Sequence, residues 1–334
     1  MKRKWTLLLA GLLAVAAMVS CAGGQGGTRA DTNPVTEKPT ETGAPHVHEW
    51  KTEFVEPTLT AQGYTRSVCA CGEADVLGYT GLTGEKETEQ TMKYRILFIG
   101  NSYTYYNGLP MLFEMIAKGQ GYSPEVLSVT ASAYYLHQFN DPTDEYGKKV
   151  EAQLTGEKHF DVVFVQEQTT NPALHPADFY TNVRQLHAKI LAQGGSMVLY
   201  QTWGRKTGNS VLSKNGWTNE TMTYKIGAAY EAIAAELESA LSPAGSAFYD
   251  VYTNHPEIEL YNDDKSHPSP AGSYLAALCH YATVYGKSPI GVSFVSRGIS
   301  AEEALILQTA AHKAVFGGSI IPESYRQTSA GTGS

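Results

Sequence analysis

The chain has 334 residues, enough for one large domain with accessory segments. Its hydrophobic content of 42% supports a real core, and its charged content of 17% is low for an intracellular enzyme. A formal net charge of −8, with no basic stripe, argues against a nucleic-acid partner.

The first residues read as a targeting segment. Lys2, Arg3 and Lys4 precede a short apolar core from Leu7 to Val19. Met18-Val19-Ser20-Cys21 then resembles a lipobox, with Met in the position where Leu is usual. Residues 1–21 are therefore expected to be a lipoprotein signal peptide, with Cys21 as the lipidation site. The mature chain would be held to a membrane of the cell envelope by its lipid, on the outer face of the cytoplasmic membrane, facing the periplasm, or at the cell surface. The competing reading is a plain signal peptide in which Cys21 is incidental.

Residues 22–45 are rich in Gly, Thr, Pro and Glu and lack an apolar period, as a flexible tether does. Residues 46–83 form a small separate unit. His46, His48, Cys69 and Cys71 are zinc-ligand types, and Gly72 follows the cysteine pair. The stretch resembles small His/Cys modules repeated in bacterial surface proteins, although Leu59 stands where a further cysteine is common. Two readings stay open: a structural zinc held by those four residues, or a small β-hairpin module with two free thiols. Cys279 lies in an apolar helix-like run and reads as a core residue.

The main domain is expected at 92–320, alternating strand and helix. Strands are expected at Arg95–Gly100, Val126–Thr130, Asp161–Gln166, Met197–Gln201 and Ala247–Tyr252. Leu112, Met115 and Ile116 give one helical face; Phe179, Val183, Leu186 and Ile190 give another, stopped by Gly194-Gly195. Met222, Ile226, Tyr230, Ile233, Leu237 and Leu241 mark a long helix. Further helices are expected at Ala271–Tyr285 and at Ala301–Phe316, the latter with Ser300 and Glu303 as a capping box. Such alternation implies a five-stranded parallel sheet between two helical layers, a three-layer α/β/α sandwich, with the small N-terminal β module added. Residues 327–334 are expected to be a disordered tail.

Two stretches carry chemistry. In YRILFIGNSYTYY, from Tyr94 to Tyr106, a short apolar run ends at Gly100, and Ser102 follows where open α/β sheets place their sites. In DDKSHPS, from Asp263 to Ser269, Asp264 and His267 stand three apart. A serine hydroxyl needs a base, and the base needs a third group to fix its tautomer. Ser102, His267 and Asp264 supply these three roles. The second glycine of a G-x-S-x-G elbow is absent, since Thr104 occupies its place.

ILFIGNSYT resembles the first block of the SGNH (GDSL-type) hydrolases, and DDKSHPS resembles their last block. The similarity extends by layout over roughly residues 92–318. It implies the SGNH, flavodoxin-like sandwich and a serine ester hydrolase working through a covalent acyl-enzyme, with no catalytic cofactor. The resemblance implies oxyanion donors at the Ser102 N–H, at an N–H of Ala131 or Ser132, and at the Gln168 amide. Gln166 would face the same cleft, and Trp203 would wall it for an acyl or sugar group unless it simply packs. The substrate would be a small acyl ester, including acetyl esters on carbohydrate. Two rivals are a non-catalytic glycan-binding lipoprotein on the same fold and a metal-dependent envelope hydrolase.

Overall fold

The computed structural model describes residues 49–55, 63–69, 74–80 and 94–330. The leader with Cys21, the tether, and His46, His48 and Cys71 lie outside these residues. Cys69 is described only as the backbone end of a strand.

Three antiparallel strands come first: β1 (Trp50–Val55), β2 (Gly63–Cys69) and β3 (Ala74–Thr80), in sequential order. The β2–β3 register shifts between Thr65 and Arg66, which marks a bulge or similar irregularity.

The second sheet holds β4 (Arg95–Gly100), β5 (Glu125–Thr130), β6 (Val162–Val165), β7 (Ser196–Tyr200) and β8 (Ala240–Ser242). All its pairings are parallel, in the order β5-β4-β6-β7-β8. Between β4 and β5 run α1 (Ser102–Tyr105) and α2 (Leu109–Gly119). The chain reaches β6 through α3 (Leu136–Asn140) and α4 (Glu145–Leu154). It reaches β7 through α5 (Asn171–Leu174) and α6 (Pro176–Ala192), and β8 through α7 (Ser210–Asn215) and α8 (Asn219–Glu236). After β8 come α9 (Ala244–Asn254), α10 (Pro270–Tyr285), α11 (Ala301–Phe316) and α12 (Glu323–Ala330).

The period of a strand explains the layers. Ile96 and Phe98 of β4, with Val162, Phe164, Val198 and Tyr200, face a core made with α2, α9, α10 and α11. Leu97 and Ile99, with Val163, Val165, Met197 and Leu199, face the opposite core against α3, α4, α6 and α8. Successive side chains point to opposite faces. A strand covered by helices on both sides must therefore be apolar at every position, which is why ILFI and VVFV show no alternation. The result is the α/β/α sandwich with a five-stranded parallel sheet.

Four expectations need correction. Ala247–Tyr252 is not the fifth strand; it lies inside α9, and the fifth strand is the three-residue Ala240–Ser242. Ala247, Phe248 and Val251 are fully buried, a helical spacing that the short apolar stretch concealed. The long helix stops at Glu236, so Leu237 is its cap and Leu241 belongs to β8. Met115 is exposed while Leu112 and Ile116 are buried. The C-terminal tail is helical through Ala330.

Candidate active site

The nucleophile turn starts where β4 ends. A Cβ on Gly100 would lie 2.2 Å from Thr104 Oγ1 and 2.6 Å from Gln166 Oε1, so the turn closes only over a glycine. Asn101 then caps α1: its Oδ1 accepts from the Tyr103 N–H at 3.1 Å, and its Nδ2 donates to the Tyr134 carbonyl at 2.9 Å. Gln166 secures the turn from the neighbouring strand. Its Oε1 accepts from the Asn101 N–H and from Thr104 Oγ1, each at 2.8 Å. Ser102 is thus the first residue of a helix set against the carboxyl edge of the sheet, and its N–H has no intrahelical acceptor.

The base sits on a second turn, before α10. Asp264 Oδ1 accepts from the backbone N–H groups of Ser266 and His267, both at 2.9 Å, with Lys265 in the left-handed region at φ 59°. Ser269 caps α10 and Pro270 opens it, so the turn is anchored to a helix that is almost wholly buried. Trp203 Nε1 donates to the Ser266 carbonyl at 3.2 Å, and the Tyr103 hydroxyl pairs with Ser266 Oγ at 2.9 Å. Asn107 Nδ2 reaches the Pro268 carbonyl at 2.9 Å. Side chains from the loop after β7 and from the nucleophile segment therefore hold the base turn in place.

The two turns converge. His267 Nε2 lies 2.8 Å from Ser102 Oγ, and His267 Nδ1 is hydrogen-bonded to Asp264 Oδ2. Burial pulls the Asp264 carboxyl up. Hydrogen bonds from the His267 side chain and from the N–H groups of His267 and Ser266 outweigh it and hold the carboxyl below its ordinary value. Tyr106 lies flat against the imidazole, ring centres 4.3 Å apart and planes within 10°. This set can take a proton from the serine through Nε2 while Asp264 holds the other ring nitrogen.

The sheet register brings the expected oxyanion donors to either side of Ser102. Gly100 pairs with Thr130, which places residues 131 and 132 on one flank. Ile99 pairs with Val165, which places residues 166 to 168 on the other. Ala131 is not available: its N–H donates to the Gly100 carbonyl at 3.2 Å, continuing the ladder. Ser132 is next along on that flank and exposed. Gln168 turns its Oε1 back onto the Thr170 N–H at 2.8 Å and Thr170 Oγ1 at 2.6 Å, which leaves the amide nitrogen directed away from that turn.

Two expected substrate contacts are structural instead. Gln166 is 1% exposed, with its oxygen used as described and its Nε2 donating to the Glu167 carbonyl. Trp203 is fully buried and stacks on Phe248 at 3.7 Å. Both stand at strand ends on the correct edge of the sheet, but their side chains turn inward.

Sequence reasoning missed Glu167, which is fully buried just after β6. Its carboxylate accepts from the Gln168 N–H at 2.6 Å, the Leu136 N–H at 3.1 Å and Asn171 Nδ2 at 3.0 Å. Burial pushes its carboxyl up to about 7, against those three hydrogen bonds. The available signal was an acidic residue two positions past a strand with no polar position. Tyr106 was hidden among the many tyrosines.

A serine, a histidine and an aspartate thus stand in hydrogen-bonded series, on turns at the carboxyl edge of a parallel α/β/α sandwich. No protein-family model and no curated protein matches the chain. Solved structures do. A protein of Slackia heliotrinireducens assigned to the SGNH hydrolases is 30% identical; the match covers 57% of this chain and 99% of that one, with a TM-score of 0.51. A DUF4886 family protein of Bacteroides uniformis is 16% identical over 67% of this chain and 95% of that one, with a TM-score of 0.59, and shares the fold. The chain belongs to the SGNH hydrolase family.

Proposed function

We propose that the protein is a serine ester hydrolase that removes small acyl groups, acetyl among them, from a carbohydrate carrier. The observation that carries this reading is the 2.8 Å contact between Ser102 Oγ and His267 Nε2, with Asp264 on the far side of the ring. Ser102 Oγ attacks the ester carbonyl as His267 Nε2 takes its proton, and the carbonyl oxygen becomes an oxyanion. The Ser102 N–H, the Ser132 N–H and the Gln168 amide receive that charge. The intermediate collapses, the C–O bond to the alcohol breaks, and the imidazolium returns the proton to the leaving oxygen. Water then attacks the acyl-serine by the same route and frees the acid.

The imidazole side chain is 24% exposed and the Asp264 side chain 45%, so the base lies near the surface. That placement suits an ester carried on a bulky chain. A carbohydrate carrier also agrees with the proposed placement of the chain: a leader ending at Cys21, a lipid anchor and a tether put the enzyme among envelope or extracellular glycans.

A fluorophosphonate probe tests the reading. Labelling of the parent and none of Ser102→Ala is the expected result. A folded parent that neither labels nor hydrolyses acetylated glycans would leave the fold as a non-catalytic glycan binder.

A further inference from the structure

Glu167 has no place in the serine, histidine and aspartate series, yet it joins the two loops that flank it. Oε1 accepts from Gln168 N–H, in the loop after β6, and from Leu136 N–H, at the start of α3. Oε2 accepts from Asn171 Nδ2, at the start of α5. Its own N–H donates to the Tyr230 hydroxyl from α8 at 3.1 Å. Leu136 ends the loop that begins at Ser132, and the middle of this loop is tied to the nucleophile turn by Asn101 Nδ2 on the Tyr134 carbonyl. One fully buried carboxylate thus spans the loops after β5 and after β6, which carry the Ser132 N–H and the Gln168 amide.

We propose that Glu167 is a positioning residue that keeps the Ser132 and Gln168 loops in register on either side of Ser102 through its three hydrogen bonds. This rests on the esterase reading above. The consequence is a rate that depends on the proton occupancy of a group the reaction never touches. Protonation at Oε2 sets an O–H against the Asn171 NH2, two donors facing each other. Asn171 must then turn its amide, and the tie from Glu167 to the start of α5 is lost. The groups that face Glu167 are Tyr230 from α8 and Asp178 from α6, whose negative charge also raises its affinity for a proton. From α3 and α5 it meets only the uncharged Leu136 N–H and Asn171 amide. Burial and Asp178 set the carboxyl near 7, so this change falls in the working range of a histidine base.

The experiment is the pH dependence of kcat and kcat/KM for an acetyl ester in the parent, Glu167→Gln and Glu167→Ala, with thermal unfolding of each. Glutamine keeps an acceptor for the two N–H groups and cannot titrate. The acid limb should steepen toward two protons in the parent and stay at one in Glu167→Gln, whose amide meets Asn171 Nδ2 as the protonated acid does and whose plateau falls toward the rate of the protonated parent. Glu167→Ala should lose about tenfold to a hundredfold in kcat, in the range of a weakened oxyanion contact, with KM little changed. An acid limb identical in parent and Glu167→Gln, or a folded Glu167→Ala with parental kcat, overturns the inference and leaves the esterase reading standing. No hydrolysis by the folded parent at any pH removes the esterase reading, and this inference with it.

Discussion

The Tyr106 ring covers one face of the His267 imidazole at 4.3 Å, nearly parallel to it. Asp264 fixes one edge of that imidazole, but a single hydrogen bond leaves the ring free to tilt about it. Stacking removes that freedom. An aromatic pair of this kind contributes roughly 0.5–1.5 kcal/mol. Tyr106→Ala should therefore lower kcat by about tenfold or less, and Tyr106→Phe should leave it near the parent value. Steady-state kinetics on a chromogenic acetyl ester, with unfolding as a control, decides this. Equal loss in both variants would assign the effect to the hydroxyl.

Asp264 determines which nitrogen of His267 carries the proton. In Asp264→Asn, Oδ1 continues to accept from Ser266 and His267, so the amide nitrogen must face His267 Nδ1. Nδ1 then becomes the acceptor, the proton moves to Nε2, and His267 has no lone pair for Ser102. The expected loss in kcat is on the order of 10⁴-fold, with the turn and the stability nearly intact. Crystallography or unfolding of the variant, together with its rate, separates this from collapse of the loop.

Gln166 yields a contrast between chemistry and shape. Gln166→Ala leaves the Asn101 N–H and the Thr104 hydroxyl without an acceptor in the interior, and each such loss costs about 1–3 kcal/mol. Gln166→Glu keeps the size but turns an oxygen toward the Glu167 carbonyl, where the structure has a donor. Both should lower the urea midpoint and slow labelling of Ser102. A glutamate variant as stable as the parent would show that the contact with the Glu167 carbonyl contributes nothing.

The central strands and the two chemical turns were legible because their constraints are local. A strand buried on both faces must be apolar throughout, and a base with its orienting carboxylate three residues upstream fits one tight turn. The edge strand was not legible, since three residues at 240–242 hold no period, while Phe248 and Val251 nearby suit either element. Trp203 and Gln166 show a different limit. Sequence places a residue at the end of a strand, but whether it faces the cleft or the core depends on neighbours from elsewhere in the chain. Phe248, 45 residues on, turns Trp203 inward, and Asn101 and Thr104 do the same for Gln166. Ala131 was lost as a donor through a single ladder bond to Gly100, which no residue pattern encodes.

The buried carboxylate of Glu167 should also be visible in stability. Its folded pKa, about 7, lies above the ordinary 4.5. The folded chain therefore binds this proton more tightly than the unfolded chain does. The stabilisation from that proton is fully present below pH 4.5 and is lost as pH rises through 7. A shift of this size corresponds to about 3 kcal/mol as an upper figure. Asp264, whose carboxyl is held down, acts in the opposite sense and below its ordinary 3.8, outside this window. The histidines lowered by burial, His187, His280 and His312, also oppose it, so the parent curve alone is a mixture. The difference between the parent and Glu167→Gln isolates the carboxyl. The variant should match the parent near pH 4.5 and exceed it progressively up to pH 8, when measured by urea unfolding at fixed ionic strength. A difference that stays flat with pH would mean that the carboxyl titrates alike in both states. A higher stability for the variant at pH 8, together with the altered acid limb in its rate, would show that the chain keeps a destabilising charge next to the site it serves.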